Sequence, residues 1–319
     1  MALRMHCGAR MDTSVVIPTF RRNRSLQRAV RSCFEHPHAR ARHEIVVVDN
    51  SPDAGAHDTV RALMDESPVP LRYEHEPRAG ISYARNRGVA ASRGERIAFL
   101  DDDEQAEPGW LEELEHAQER HRAAAVFGAV IFVCEGEIPD GMEWALEWLT
   151  RDFDDVTGAL DPRRVAYVGT GNSMFLREAL GSDAPFEIAL GLVGGEDTKL
   201  IRAMHERGDR LVWCREARVL EHVPPQRLEL TTTLKYRFSC GQMRTYSCIA
   251  RENPSLAEAA AWMLAGAMQA VGNTALAPAS GVLLGRGGTN ARLAAAAAGL
   301  GKVLWMEPFL MNRYKRPAA

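Results

Sequence analysis

From Ser14 onward, short apolar runs alternate with stretches whose apolar positions recur at helical spacing. Residues 14–18, 44–49, 71–74 and 96–100 are apolar runs that predict strands. Residues 24–34, 58–65 and 81–92, lying between them, predict amphipathic helices. This β-α-β-α order argues for a parallel sheet covered by helices on both faces. Further along, 109–122 predicts a helix, 124–133 a strongly apolar strand, and the Trp144/Trp148 pair a short helix. Residues 165–168 and 173–176 predict strands around a turn at 169–172. A helix over 196–207 and two strands, 210–214 and 219–222, complete this region. Pro224-Pro225 then ends it. We assign no structure before Asp12 and expect 1–11 to be disordered, 12–223 to form the α/β domain, and 224–319 to form a helical C-terminal region.

The pattern changes after residue 224. Residues 231–251 predict a basic helix with aromatics, and 259–285 are 27 consecutive residues without a charge. That length suffices to cross a bilayer. Only nine of them are Leu, Met, Val or Trp, however, and Gln269, Asn273 and Pro278 interrupt the run. Three readings stand: a membrane span, a surface-bound amphipathic hairpin completed by 290–310, and an ordinary helical subdomain. Charge sharpens the division. Residues 1–223 carry a net charge of −10 and residues 224–319 a net charge of +7, within a total of −3. No global basic field points to nucleic acid. Apolar residues at 46% and charged residues at 25% exclude a disordered or disulfide-dense chain. The six cysteines form no Cys-x-x-Cys pair, and no secretory signal is evident, so a reducing, cytoplasmic setting is expected.

The chemistry concentrates at strand ends. Asp101-Asp102-Asp103 follows the apolar run 97–100, and three adjacent carboxylates repel unless a cation neutralises them. On an extended segment Asp101 and Asp103 would point the same way and share a hard divalent cation, Mg²⁺ or Mn²⁺, with Asp102 turned away or toward a sugar hydroxyl. The alternative is a solvated acidic turn. Asp49, with Pro18-Thr19 and neighbouring Arg21, suits a nucleobase and ribose pocket, or else Asp49 caps its own turn. Arg85, on a helix facing the same cleft, suits a diphosphate, or else it is a solvent-facing cation. Gly194-Gly195-Glu196-Asp197 opens a helix, where Asp197 suits a general base and otherwise serves as an N-cap. His222 offers a third metal ligand or a structural imidazole. Arg227 and Arg237 read either as diphosphate cations or as a basic, lipid-facing surface. Trp110, Trp144 and Trp148 suit an acceptor-side sugar platform or the core.

Taken in order, these motifs resemble family 2 glycosyltransferases of the GT-A fold. The matching pieces are Val15-Val16-Ile17-Pro18-Thr19-Phe20-Arg21-Arg22, Val46-Val47-Val48-Asp49-Asn50-Ser51, Ala84-Arg85-Asn86-Arg87-Gly88, Asp101–Asp103 and Gly195-Glu196-Asp197-Thr198. Within that family, the segment from His222 to Arg227 followed by that from Arg237 to Gln242 is similar to bacterial exopolysaccharide enzymes of the succinoglycan type. The resemblance implies an inverting, metal-dependent transfer of one sugar from a nucleoside-diphosphate sugar, UDP by family tendency, to an acceptor hydroxyl. It implies Asp101, Asp103 and His222 as metal ligands and Asp197 as base. Pro18, Thr19, Arg21, Asp49, Arg85, Asp102, Arg227 and Arg237 fall on the donor side, Trp110 and Glu196 on the acceptor side. The expected acceptor is a glycan or a polyprenyl-diphosphate-linked sugar in cell-surface glycan assembly, met by peripheral contact at the inner face of the plasma membrane. Gln242-Met243-Arg244 lacks the adjoining Trp of the processive synthases. A non-catalytic scaffold binding sugar nucleotide or lipid carrier is the alternative.

Overall fold

The computed structural model describes residues 11–34, 42–153, 156–192, 194–250 and 254–311. The expected disordered stretch at the N-terminus lies, but for Met11, outside the described residues. The elements in chain order are β1 (Thr13–Thr19), α1 (Asn23–Phe34), β2 (His43–Asp49), α2 (His57–Glu66), β3 (Leu71–His75), α3 (Ile81–Ala91), β4 (Arg96–Phe99), β5 (Glu104–Ala106), α4 (Trp110–His121) and β6 (Ala125–Cys134). There follow α5 (Glu143–Leu149), β7 (Gly158–Ala159), β8 (Ser173–Leu176), α6 (Arg177–Leu180), α7 (Glu196–Glu206), β9 (Leu211–Val223), α8 (Pro225–Leu228), α9 (Leu230–Ile249) and α10 (Leu256–Val303).

The strands form one mixed sheet in the order β3-β2-β1-β4-β8-β6-β9-β5, with β7 paired to β9. β1, β2, β3 and β4 run parallel, as the alternation of runs and helices requires, whereas β8 is antiparallel to both β4 and β6. β1 and β2 are buried along their whole length, which explains their continuous Val/Ile runs in place of alternation. Register places Thr19 beside Asp49 at the carboxyl ends of these strands. Beneath that edge, Phe99, Phe127, Phe175 and Phe186 meet edge to face at 5.6–6.0 Å.

Two compact units emerge. The first comprises residues up to 130 together with 152–191 and 196–220. The second comprises 131–151, 192–195 and the chain from 221. In the second, α9 packs on α10, and α10 is a hairpin: its arms, 256–284 and 286–303, join at Gly285, whose φ of 66° breaks the helix. A small cluster of Met142, Ala145, Val223 and Leu228 forms its other packed centre.

Two expectations fail locally, and one short strand was not expected. No strand forms at 165–168. A 3-10 turn at Pro162–Arg164, opened by Asp161 accepting from Arg163 N, leads there into a further turn. The strands expected at 210–214 and 219–222 are one strand, β9, because the exposed pair Arg215-Glu216 is a polar stretch within it and not a break. The short, polar β5 carries no apolar signal and went unpredicted.

Candidate functional site

The parallel strands of the first unit deliver their loops to one edge, where ligands of such sheets bind. After β4 the chain does not stay extended. Glu104 N–H donates to Asp101 C=O at 3.0 Å, so Asp101–Asp103 is a turn, and the same-side arrangement expected for Asp101 and Asp103 is replaced by a fan. Asp102 points inward and is 6% exposed. It accepts from Thr19 Oγ1 at 2.7 Å and from Arg22 at 3.1 Å. Asp103 accepts from the same guanidinium at 2.7 Å. Asp101 faces the other way, toward Arg85 at 3.4 Å. Burial pushes the Asp102 carboxyl well above the ordinary carboxylate range. Asp103 and Asp101 add to that shift, while Arg22 and Thr19 oppose it. Burial works against the charge on Arg22, but its carboxylate neighbours outweigh that and hold it ionised.

Arg85, on α3, ties two parts of this unit together. It is 6% exposed, and it donates to both Asp101 and Glu196 Oε1, the latter 3% exposed at the start of α7. Burial, then the charge of Asp197, raises the Glu196 carboxyl, against the pull of Arg85. Asp197, half-exposed beside it, accepts from Thr198 N–H at 2.6 Å through Oδ1. Position 171 completes the wall: a Cβ there would stand 2.9 Å from Asp101 Oδ2 and 2.6 Å from Glu104 Oε1, so only glycine lets the loop approach the carboxylates.

Asp101 remains 34% exposed at its side chain, and with Asp103 it presents hard oxygen donors of the kind Mg²⁺ and Mn²⁺ take. The glycine cradle keeps side chains away from Asp101 Oδ2, which leaves that oxygen open to a divalent cation, while Asp103 is held by Arg22 in this structure. His222 and Arg237 are half-buried in the second unit, and Arg227 is exposed there. Arg227 lies 3.7 Å from Glu221. Arg237 stacks 4.1 Å over the Trp148 ring and is pushed below its ordinary pKa by burial.

Several expected contacts take another form. Asp49 is fully buried, and it accepts from Ser51 N–H, Ala56 N–H and Tyr73 Oη at 2.8–3.0 Å. In this structure its carboxylate organises the loop after β2, with Pro18 buried beside it. Arg21 pairs with Asp53 on the surface. Trp110 is 1% exposed, and its Nε1 donates to Asn172 Oδ1 at 2.7 Å. A ring enclosed in this way offers no face to a sugar, so the acceptor-side reading of Trp110 is overturned. Glu196 is likewise locked inward by Arg85 and not presented to an acceptor. Arg22 is the residue that went unrecognised. Its signal was a second cation directly after the first strand, opposite in charge to the acidic tract after the fourth.

The glycosyl transferase family 2 pattern matches residues 14–182. Over 204 residues the chain is 34% identical to the succinoglycan biosynthesis protein ExoM of Rhizobium meliloti strain 1021, covering 64% of this chain and 64% of that protein. The chain thus spans just under two thirds of that relative's length. Its fold is like that of S. aureus TarS 1–349 in complex with UDP-GlcNAc, at a TM-score of 0.55, 15% identity and 90% coverage of both chains. It is also like the mannosyltransferase PcManGT from Pyrobaculum calidifontis in complex with GDP-Man and Mn2+, at a TM-score of 0.59 and 19% identity, covering 93% of this chain and 88% of that one. These likenesses establish a GT-A fold. With the strand-end carboxylates and the matched pattern together, the chain belongs to glycosyl transferase family 2.

Proposed function

We propose that this protein transfers one sugar per encounter from a nucleoside-diphosphate sugar, UDP-linked in our reading, to an acceptor hydroxyl, inverting the anomeric centre. The observation that carries this reading is the buried Arg85, which joins Asp101 to Glu196 and so ties the carboxylate turn to the residue next to Asp197. Donor-side and acceptor-side chemistry are held to one scaffold by that side chain. The family's sugar nucleotides, as in the UDP-GlcNAc and GDP-Man complexes of the fold relatives, support the donor class.

Asp101 and Asp103 would hold Mg²⁺ or Mn²⁺. The cation would offset the charge that develops on the departing diphosphate. Asp102, kept inward by Thr19 and Arg22, shapes the turn that presents its two neighbours. Thr198 N–H fixes Asp197 Oδ1, and Oδ2 receives the acceptor proton. The acceptor oxygen bonds to the anomeric carbon on the face opposite the diphosphate. The anomeric C–O bond breaks as that bond forms, and its electron pair leaves with the diphosphate. The transition state carries oxocarbenium character, as in glycoside hydrolysis. The acceptor class is a glycan or a polyprenyl-diphosphate-linked sugar destined for an exopolysaccharide or a related surface polymer, a role that the likeness to ExoM supports.

The test is nucleotide binding and turnover on the full chain. Thermal melting with UDP and Mn²⁺ should rise by mass action, and Asp101→Asn with Asp103→Asn should abolish that rise. Asp197→Asn should keep it while sugar transfer falls about a thousandfold. Retention of most turnover by Asp197→Asn would remove the general-base assignment. A melting point indifferent to every nucleoside diphosphate would favour a scaffold.

A further inference from the structure

The first arm of α10 has its polarity reversed. Between Glu258 and Arg286 it carries no charge, yet its outer side is open to solvent. Leu264, Met268 and Val271 are 63–71% exposed along that side. Val282, Leu283 and Leu284 at the hairpin tip are 72–86% exposed. Gln269, Asn273 and Ser280 point inward instead. Gln269 accepts from Lys302 Nζ at 2.6 Å and donates to Ala295 C=O at 2.9 Å. Asn273 and Ser280 accept from Arg292 at 3.1 and 3.2 Å. An ordinary surface helix does the opposite. A continuous apolar face of this kind marks a contact with something other than water.

No described helix is long and apolar enough to cross a membrane, so this face lies on its partner and does not traverse it. The foot of the arm has the composition of a membrane interface. Trp262 is approached by Arg244 at 5.4 Å and Lys302 at 5.2 Å, and Trp305 Nε1 lies 3.4 Å from Met263 Sδ. Amphipathic rings beside cations favour the headgroup level of a bilayer. Charge selects among partners. Residues 224–319 carry a net charge of +7. A second copy meeting this face about a two-fold axis would bring these like charges together, whereas anionic headgroups complement them.

We propose that the outer face of the first arm of α10, tipped by Val282-Leu283-Leu284, docks on an anionic lipid surface, with the helix lying in the plane of the interface. The docking does not depend on the sugar-transfer reading, and a separate measurement reports on each. The experiment is co-sedimentation of the full chain with vesicles of equal parts phosphatidylcholine and phosphatidylglycerol, against phosphatidylcholine alone. The wild-type chain should bind the anionic vesicles, and less well as salt rises. Leu264→Glu combined with Leu283→Glu should weaken binding about tenfold or more, with an unchanged melting point and an unchanged response to UDP and Mn²⁺. Leu283→Trp should bind more tightly, since indole favours the interface. Equal binding by wild type and the double variant would overturn the proposal, as would absence of wild-type binding to anionic vesicles. Light scattering that shows a dimer, turned to monomer by the double substitution, would assign the face to a second copy instead.

Discussion

Helix α4 and the first arm of α10 obey opposite rules. In α4, Leu111, Leu114 and Ala117 face the core, while Glu112, His116, Glu119 and Arg120 face outward. In the arm, Gln269, Asn273 and Ser280 turn toward protein and Leu264, Met268 and Val271 toward the outside. Within the first unit the ordinary rule fails mainly at one edge of the sheet, where Arg85, Asp102 and Glu196 are charged groups with 6% exposure or less. Both departures are costly unless something compensates them. In the first unit the compensation is visible as ion pairs and hydrogen bonds. In the second it lies outside the chain. Polarity at odds with burial therefore points to function in both, to chemistry in one and to a docking surface in the other.

Arg85→Ala leaves Glu196 buried without its cation and frees Asp101 from its clamp. Loss of one member of a buried pair destabilises by about 3–5 kcal/mol. Urea denaturation should register that loss in the midpoint. A shift under a tenth of that size would mean that the buried pair contributes nothing to holding the edge together. Next comes Gly241 in α9, where a Cβ would sit 2.1 Å from Ala298 C=O. Gly241→Ala must push α9 and the second arm apart, at about 3 kcal/mol, again read by denaturation. It tests whether the second unit, despite its inverted outer face, has a close-packed interior. Trp110→Phe is milder. It strips the donor from Asn172 Oδ1, which is buried and also tied through Nδ2 to Ala129 and Ala217 C=O. The cost should be about 1–2 kcal/mol with acceptor KM unmoved. Unaltered stability with a raised acceptor KM would restore Trp110 to the acceptor side.

Much of the first unit was legible because buried parallel strands announce themselves. Val46-Val47-Val48 and Ile97-Ala98-Phe99 are strands that need no partner information to recognise. Where a strand carried exposed charge in mid-course, as at Arg215-Glu216, the same logic split one element into two. Candidate site residues were named by type and place, but their pairing was hidden. Nothing local in the sequence says that Arg85 meets Glu196 across 111 positions or that Arg22 crosses to Asp102 and Asp103. Such pairs depend on strand order, and the antiparallel insertion of β8 between β4 and β6 was not readable from alternation. The charge-free run of α10, broken by polar residues, was legible, with a hairpin as one of the three readings it allowed. Which side those residues face was not, because Gln269 and Asn273 satisfy themselves inside the unit, and periodicity alone assigns polar groups to water.

The smallest expected effect on stability is at Leu264. Leu264→Glu places a carboxylate on the outer side of the arm, at a position 64% exposed. Were that side part of a folded interior, the buried charge would cost several kcal/mol. As it faces water in the isolated chain, the change should stay within about 0.5 kcal/mol by denaturation in lipid-free buffer. The control is the equivalent change on the inner side: Ala270→Glu, at 7% exposure against Gly299, should cost several kcal/mol by burying an unpaired charge. Equal penalties at 264 and 270 would mean that the arm is covered on both sides in solution, and the contrast with α4 would dissolve. A large difference between them would establish that folding leaves the apolar side unused, so that whatever keeps it apolar acts after the chain has folded.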